Sequence, residues 1–271
     1  MSPAPEAPPA DGAAAEALGR PRLHLRVTDS TNERARELAG AGAPHGSLVT
    51  AGEQTAGRGR QGRRWAAPAG SSLLASLVLR PAPRLLPLAA AVAVTDAVDA
   101  MPGAERRGRA RIKWPNDVVL EGQGTPPTLA KLAGILIEAR VGAAQDTWAV
   151  LGIGLNVAVE LAELPAELRG TAATLGLAPE ATEPLLRALL DALAVRLAEP
   201  PQATLAAWSE RDALRGREIR WEPPPGGTAG PAAAGSGVAQ GIDGDGRLVV
   251  ALPGGGRTAL GSGEVHLRPP G

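Results

Sequence analysis

The sequence predicts an α+β fold in two parts: a large domain of strands and helices, then a small β-barrel. Three observations carry that prediction. At 271 residues with 44% apolar content, the chain can bury a full core and still form a second, smaller unit. Two apolar stretches, 132–138 and 148–157, flank a short polar connection at 142–146 and read as an antiparallel hairpin with a buried face. From about Leu214 the texture changes to Gly and Pro turns between short strands, which suits a barrel of about fifty residues. The expected divisions are 1–20, 21–212 and 213–271.

Residues 1–20, rich in Ala and Pro without a period, are expected to be a disordered tail. Leu23 to Val27 alternates as a strand and runs into Asp29-Ser30-Thr31-Asn32-Glu33, where Ser30 and Glu33 have capping-box spacing for a helix that Gly40 closes. Ser30, Thr31 and Asn32 read equally well as caps or as contacts for a polar ligand head at a helix N-terminus. Residues 47–52 and 72–79 form the strands on either side of an arginine-rich loop, the second stopped by Pro81. An apolar helix follows at 87–100.

Residues 111–120 read as a strand broken at Pro115 and resumed at Val118, at an edge or bulge that re-aims Asn116 and Asp117. That Asn-Asp pair suits either an Asx turn or oxygen ligation of Mg²⁺ beside a triphosphate. Residues 121–128 form a Gly- and Pro-rich insertion, and Lys131 stands just before the next strand. Such a lysine is either a solvated surface group or a phosphate contact. Leucines at helical spacing make 182–199 a core helix. Short strands are expected at 216–221, 246–252 and 257–260, with 223–237 as a long disordered loop.

The loop itself reads Gln54-Thr55-Ala56-Gly57-Arg58-Gly59-Arg60-Gln61-Gly62-Arg63-Arg64-Trp65. Its glycines free the backbone to turn N–H groups towards an anion, and its guanidiniums can grip phosphate or carboxylate in pairs. No Lys and hydroxyl follow the last glycine, so this is not a Walker loop. Alone, it reads equally as a solvated basic loop or an RGG-like nucleic-acid contact. Its attachment to two apolar strands favours a site.

The totals narrow the class. Formal charges balance at 28 basic and 28 acidic residues, unlike a dedicated nucleic-acid protein. The absence of cysteine excludes disulfides and any thioester mechanism. No apolar run reaches the length of a membrane span and no leader pattern opens the chain, so a cytoplasmic location without membrane contact is expected. Too little chain precedes Leu23 for a helix-turn-helix, so DNA binding is not expected.

Five motifs together resemble biotin–protein ligases: Ser30-Thr31-Asn32, the loop from Gln54 to Trp65, Lys113-Trp114-Pro115-Asn116-Asp117, Lys131 to Glu138, and Gly152-Ile153-Gly154-Leu155-Asn156-Val157. The resemblance implies a seven-stranded mixed β-sheet backed by helices, the class II synthetase-like biotin/lipoate ligase fold, with a small SH3-like barrel behind it. It implies ATP-dependent joining of biotin to a lysine of a biotin carboxyl carrier domain, as in acetyl-CoA carboxylase, through biotinyl-5′-AMP. Biotin and ATP are then substrates, Mg²⁺ accompanies them, and a monomer or weak homodimer of the short, ligase-only type is expected.

By the same resemblance, Lys131 meets the biotin carboxylate and the α-phosphate, and Arg58, Arg60 and Arg63 with the Gly59 backbone clamp the phosphates. Ser30, Thr31, Asn32, Gln54, Thr55, Gly59, Arg60 and Gln61 lie at biotin, where Gly134 leaves it room. Trp65, Lys113, Asn116 and Asn156 lie at the nucleotide, and Asp117 at Mg²⁺. Gln61 stands where some members carry another arginine, which predicts a weaker hold on the adenylate. Lipoate–protein ligase, a non-enzymatic biotin sensor and an RNA-binding protein are the competing readings; octanoyl transferases need the cysteine this chain lacks.

Overall fold

The computed structural model describes residues 18–122, 128–142, 147–223, 234–262 and 266–268. The elements in chain order are β1 (Arg22–Leu25), α1 (Thr31–Gly40), β2 (Leu48–Ala51), β3 (Ser72–Leu79), α2 (Leu86–Asp99), α3 (Ala104–Arg107), β4 (Arg111–Lys113), β5 (Asp117–Glu121), β6 (Leu129–Arg140) and β7 (Trp148–Asn156). They continue with α4 (Ala166–Arg169), α5 (Thr182–Ala198), α6 (Pro201–Glu210), β8 (Glu218–Glu222), β9 (Gly235–Ile242), β10 (Leu248–Ala251), β11 (Arg257–Leu260) and β12 (His266–Arg268). The first seven strands form one sheet in the order β1-β2-β3-β7-β6-β5-β4. It is mixed, because β1 runs parallel to β2 while the other pairs are antiparallel.

Alternation along β7 divides the two faces. Leu151, Ile153 and Leu155 join the main core with α2 and α5, whereas Trp148 and Val150 pack with Ala35 and Ala39 of α1 on the other face. On that second face the side chains then vanish at Gly152 and Gly154. A strand that is apolar on one side and bare on the other leaves a floor for a ligand.

The expected hairpin of 132–138 and 148–157 is present as β6 and β7, paired from Ala133↔Leu155 to Arg140↔Trp148. The expected strand at 111–120 is instead a tight hairpin, in which β4 and β5 pair Lys113 with Asp117. Pro115 has no N–H for a ladder, so the chain reverses there rather than bulging. Lys131 lies within β6, not before it. The capping box does not form: Ser30 makes no side-chain cap bond, and Glu33 pairs with Arg36 and Arg58. The helix α6 went unread, and β9 begins inside the Gly-rich run assigned to a loop. Residues 224–233 of that run, 1–17 of the tail and 123–127 of the insertion lie outside the described residues.

The C-terminal strands form an antiparallel sheet in the order β11-β10-β9-β8-β12. Among the described residues β11 and β12 are not paired with each other, so the expected barrel is an open five-stranded sheet. It docks through the buried Trp114, whose indole N–H donates to the Gly246 carbonyl at 3.0 Å. On the other side, Arg211 locks the end of α6 to α2, 2.7 Å from Asp96 and 2.6 Å from Asp99.

Asp212, 2% exposed, accepts the Leu214 N–H at 2.8 Å through one oxygen while the other has no partner. Burial pushes its carboxyl above the usual carboxylate range, opposed by nearby Arg215 and Arg111. A carboxyl raised on folding costs nothing below its unfolded pKa and destabilises increasingly as pH rises through its folded pKa. Asp212→Asn is therefore expected to raise Tm by about 2–4 °C at neutral pH and to have no effect in acid. Thermal melts at both pH values test this; an equal shift at both would disprove it.

Candidate active site

Gly134 of β6 sits opposite Gly154 of β7, with Gly152 two residues along on the same face. Their value is space: a β-carbon at Gly154 would lie 2.6 Å from the Trp65 ring, and one at Gly134 3.1 Å from it and 3.2 Å from the Lys131 ammonium. The indole thus lies flat on a bed of glycines, its N–H buried without a partner. Trp65 was expected at the nucleotide, and Gly134 was expected to leave room for ligand. In this structure the indole and Lys131 occupy that room.

Lys131 reaches this face because of a bulge. Between Val118 and Val119 the pairing of β5 with β6 slips, so that Asp117 faces Gly134 but Val119 faces Lys131. The extra residue puts Lys131 on the same face as Gly134, three positions away, where strict alternation would oppose them. Its ammonium is 2.7 Å from Asp117 and 5.7 Å from the Trp65 ring centroid. Its backbone is fastened too, donating to Thr171 at 2.7 Å and accepting from Ala173 at 2.8 Å.

The arginine loop leaves β2 and folds back on itself. The Trp65 backbone N–H donates to the Gly57 carbonyl at 3.0 Å and the Gly59 N–H to that of Arg63 at 2.7 Å. At its tip Gln61 has φ 56° and ψ 41°, left-handed for a residue with a side chain. Arg60 turns inward to the Asn116 side-chain oxygen at 3.3 Å and to the Ser262 carbonyl of the C-terminal part. Burial and the adjacent Arg63 both push the Arg60 pKa down, so its charge is held at some cost. Arg63 and Arg64 stay exposed, and Arg64 donates to the Thr55 carbonyl at 2.6 Å. Arg58, expected at phosphate, instead lies 2.9 Å from Glu33 at the start of α1.

The start of α1 forms a polar knot above Gly152. Gln54 accepts the Thr31 N–H at 2.7 Å and its hydroxyl at 3.0 Å. Ser76, fully buried on β3, donates to Asn32 at 2.6 Å and lies 2.8 Å from the Thr31 hydroxyl. The Asn32 amide in turn donates to Glu138 at 2.9 Å. Ser30 is buried beside them, whereas Thr55 is exposed. Ser76 and Glu138 were not read from the sequence as site residues. A hydroxyl inside the apolar run 72–79 was the available signal.

Three expected nucleotide contacts are placed differently. Asn116 donates its amide to the Ile135 carbonyl at 2.8 Å while its oxygen faces Arg60, which keeps it at the site. Asn156 is buried and donates to Ala173 at 2.8 Å, so it braces the segment that pairs with Lys131. Lys113 lies on the edge strand β4, half-buried. The donor set does not make a resident Mg²⁺ site. Asp117 is already paired with Lys131, and the described residues contain no metal-holding group of three His, Cys, Asp or Glu side chains.

A model of the biotin/lipoate A/B protein ligase family matches residues 24–156, and one of the biotin protein ligase C terminal domain matches 231–268. A Mycobacterium tuberculosis protein named biotin--[acetyl-CoA-carboxylase] ligase is 37% identical over 259 residues, 89% of this chain and 87% of that protein. The chain belongs to the biotin/lipoate A/B protein ligase family. The bifunctional ligase/repressor BirA of Bacillus subtilis is 37% identical over 169 residues, and the chain spans about half (49%) of its length. The fold agrees as well. The biotin protein ligase of Aquifex aeolicus, solved in complex with biotin and ATP, superposes with a TM-score of 0.70 at 25% identity, covering 92% of this chain and 99% of that one. In this ligase-family chain the first matched span contains the knot, the arginine loop and Lys131. The second contains β9 to β12. Among the described residues no helix is long and apolar enough to cross a membrane.

Proposed function

We propose that the chain is an ATP-dependent biotin–protein ligase acting on a biotin carboxyl carrier domain of the acetyl-CoA carboxylase type. The observation that carries this reading is one cation, Lys131, re-aimed by a bulge onto a glycine floor between the polar knot and the arginine loop. The knot's amide and hydroxyl groups suit a flat ureido ring, and a fixed ammonium suits a carboxylate and the phosphate it attacks.

The reaction needs no protein nucleophile. The biotin carboxylate attacks the α-phosphorus of ATP, the bond to pyrophosphate breaks, and biotinyl-5′-AMP forms. The neutral amine of the carrier lysine then attacks the acyl carbon, AMP leaves, and one proton is released. Lys131 offsets charge gathering on the α-phosphate, while Arg60 and Arg63 face the phosphates and shield the mixed anhydride from water. Mg²⁺ enters with the nucleotide's phosphates as part of the substrate. Trp65, lying over the glycines, is the surface on which the rest of the ligand stacks.

The purified chain incubated with labelled biotin, ATP and a carrier domain should transfer label to one lysine. A lipoate ligase would take lipoate in preference, and an RNA-binding protein would follow salt and ignore biotin. Gln61→Arg tests the loop tip. One more cation at an exposed position is expected to slow release of free biotinyl-AMP about two- to fivefold, and equal release from both proteins would reject the idea. Glutamine and arginine are both β-unbranched, so the left-handed backbone at this position strains them alike and the comparison isolates charge.

A further inference from the structure

Two carboxylates outside the reacting centre bind two guanidiniums in one compact group. Glu33 of α1 lies 2.9 Å from Arg58 and 3.2 Å from Arg36. Glu138 of β6 lies 3.7 Å from Arg58 and 3.6 Å from Arg36, and its second oxygen accepts the Asn32 amide at 2.9 Å. We infer that Glu33 and Glu138 form a latch that fastens the root of the arginine loop to α1 and, through Glu138, sets the Asn32 amide in the polar knot. They are positioning residues, and the inference rests on the ligase reading for what the knot binds.

Arg58 is well placed to control the loop. It stands between Gly57 and Gly59, whose backbones close the loop onto Trp65 and Arg63, and it bridges to Arg64 across the hairpin. Glycines on both sides give the loop no stiffness of its own at this point. Holding the Arg58 side chain therefore holds the hairpin. The opposite end of the network is equally constrained. The Asn32 oxygen accepts from Ser76 while its amide donates to Glu138, so one carboxylate fixes which way the amide faces.

Glu33 and Glu138 side chains are each 27% exposed, so a single pair in this group contributes little. Sharing makes the difference. Each glutamate contacts both arginines, so the four charges lock one another, and breaking the group loosens loop and knot together.

Trypsin reads the latch directly, since the loop carries Arg58, Arg60, Arg63 and Arg64. In ligand-free protein, cleavage within the loop located by mass spectrometry is expected to be about fivefold faster in Glu33→Gln and Glu138→Gln than in the wild type. Cleavage at Arg247 and Arg257 in the C-terminal sheet is the control for global loosening and should not change. Adenylate formation separates the two residues. Glu138→Gln should raise KM for biotin more than Glu33→Gln does, while KM for ATP rises to a similar degree in both because both release the loop. Loop cleavage at the wild-type rate in both variants overturns the latch, and so does acceleration at the C-terminal sites to the same degree. If the wild type makes no adenylate, the ligase reading fails while the ligand-free cleavage still decides the latch.

Discussion

Lys131→Met is expected to lower the rate of biotinyl-adenylate formation by about 10²–10³-fold, the loss typical of removing one fixed charge-stabilising donor. Methionine keeps the apolar stem that lies beside Gly134, so the variant removes the charge with little change in packing. Biotin binding should weaken much less, because the knot of Thr31, Asn32, Gln54 and Ser76 remains. Two consequences separate this from general damage. Asp117 loses its partner, which costs about 1–3 kcal/mol for a largely buried carboxylate and appears as a lower Tm. Adding Asp117→Asn should recover that Tm but not the rate. Pyrophosphate exchange and thermal melts on the three proteins check it. Full activity in Lys131→Met would remove Lys131 from the chemistry and, with it, the proposed reaction.

Much of this geometry was legible in the sequence because local patterns produced it. The apolar runs of 72–79 and 148–157 marked the two central strands, and the leucine spacing of 182–199 marked α5 almost to its ends. The arginine loop was also clear, since glycine and arginine have few reasons to alternate. What stayed hidden depended on neighbours distant in the chain. The direction of Lys131 is set by a slip in pairing between β5 and β6, and no residue within β6 announces it. Arg58 carries the same charge as Arg60, yet one meets Glu33 and Glu138 while the other meets Asn116 and Ser262. Only the packing of α1 across β2, β3 and β7, which brings Glu33 near Glu138, distinguishes them. Asn156 was placed at the nucleotide from its motif, whereas burial turns its amide to Ala173. A polar side chain is legible as polar; which groups consume its hydrogen bonds is not.

Gly152→Ala should be the most damaging single-methyl change in the molecule's site. A β-carbon there would fall on the Asn32 side-chain amide, which cannot retreat because Ser76 and Glu138 hold it from two sides. Alanine at an ordinary strand position is better than glycine by about 0.5–1 kcal/mol, so any loss runs against the intrinsic trend. Overpacking costs about 1–3 kcal/mol, and displacing Asn32 also leaves the buried Ser76 hydroxyl short of a partner. The expected result is a Tm lower by about 4–8 °C and biotin binding weaker by at least tenfold. Gly154→Ala provides the contrast. Its β-carbon meets the Trp65 ring at 2.6 Å, but that indole is only half-buried and can swing outward. It should therefore keep most of its stability while losing affinity for the adenylate, measured by calorimetry with a non-hydrolysable analogue. If the two alanine variants melt together, the knot above Gly152 is no more rigid than the indole above Gly154, and the division of this face into a fixed biotin end and a yielding nucleotide end is wrong.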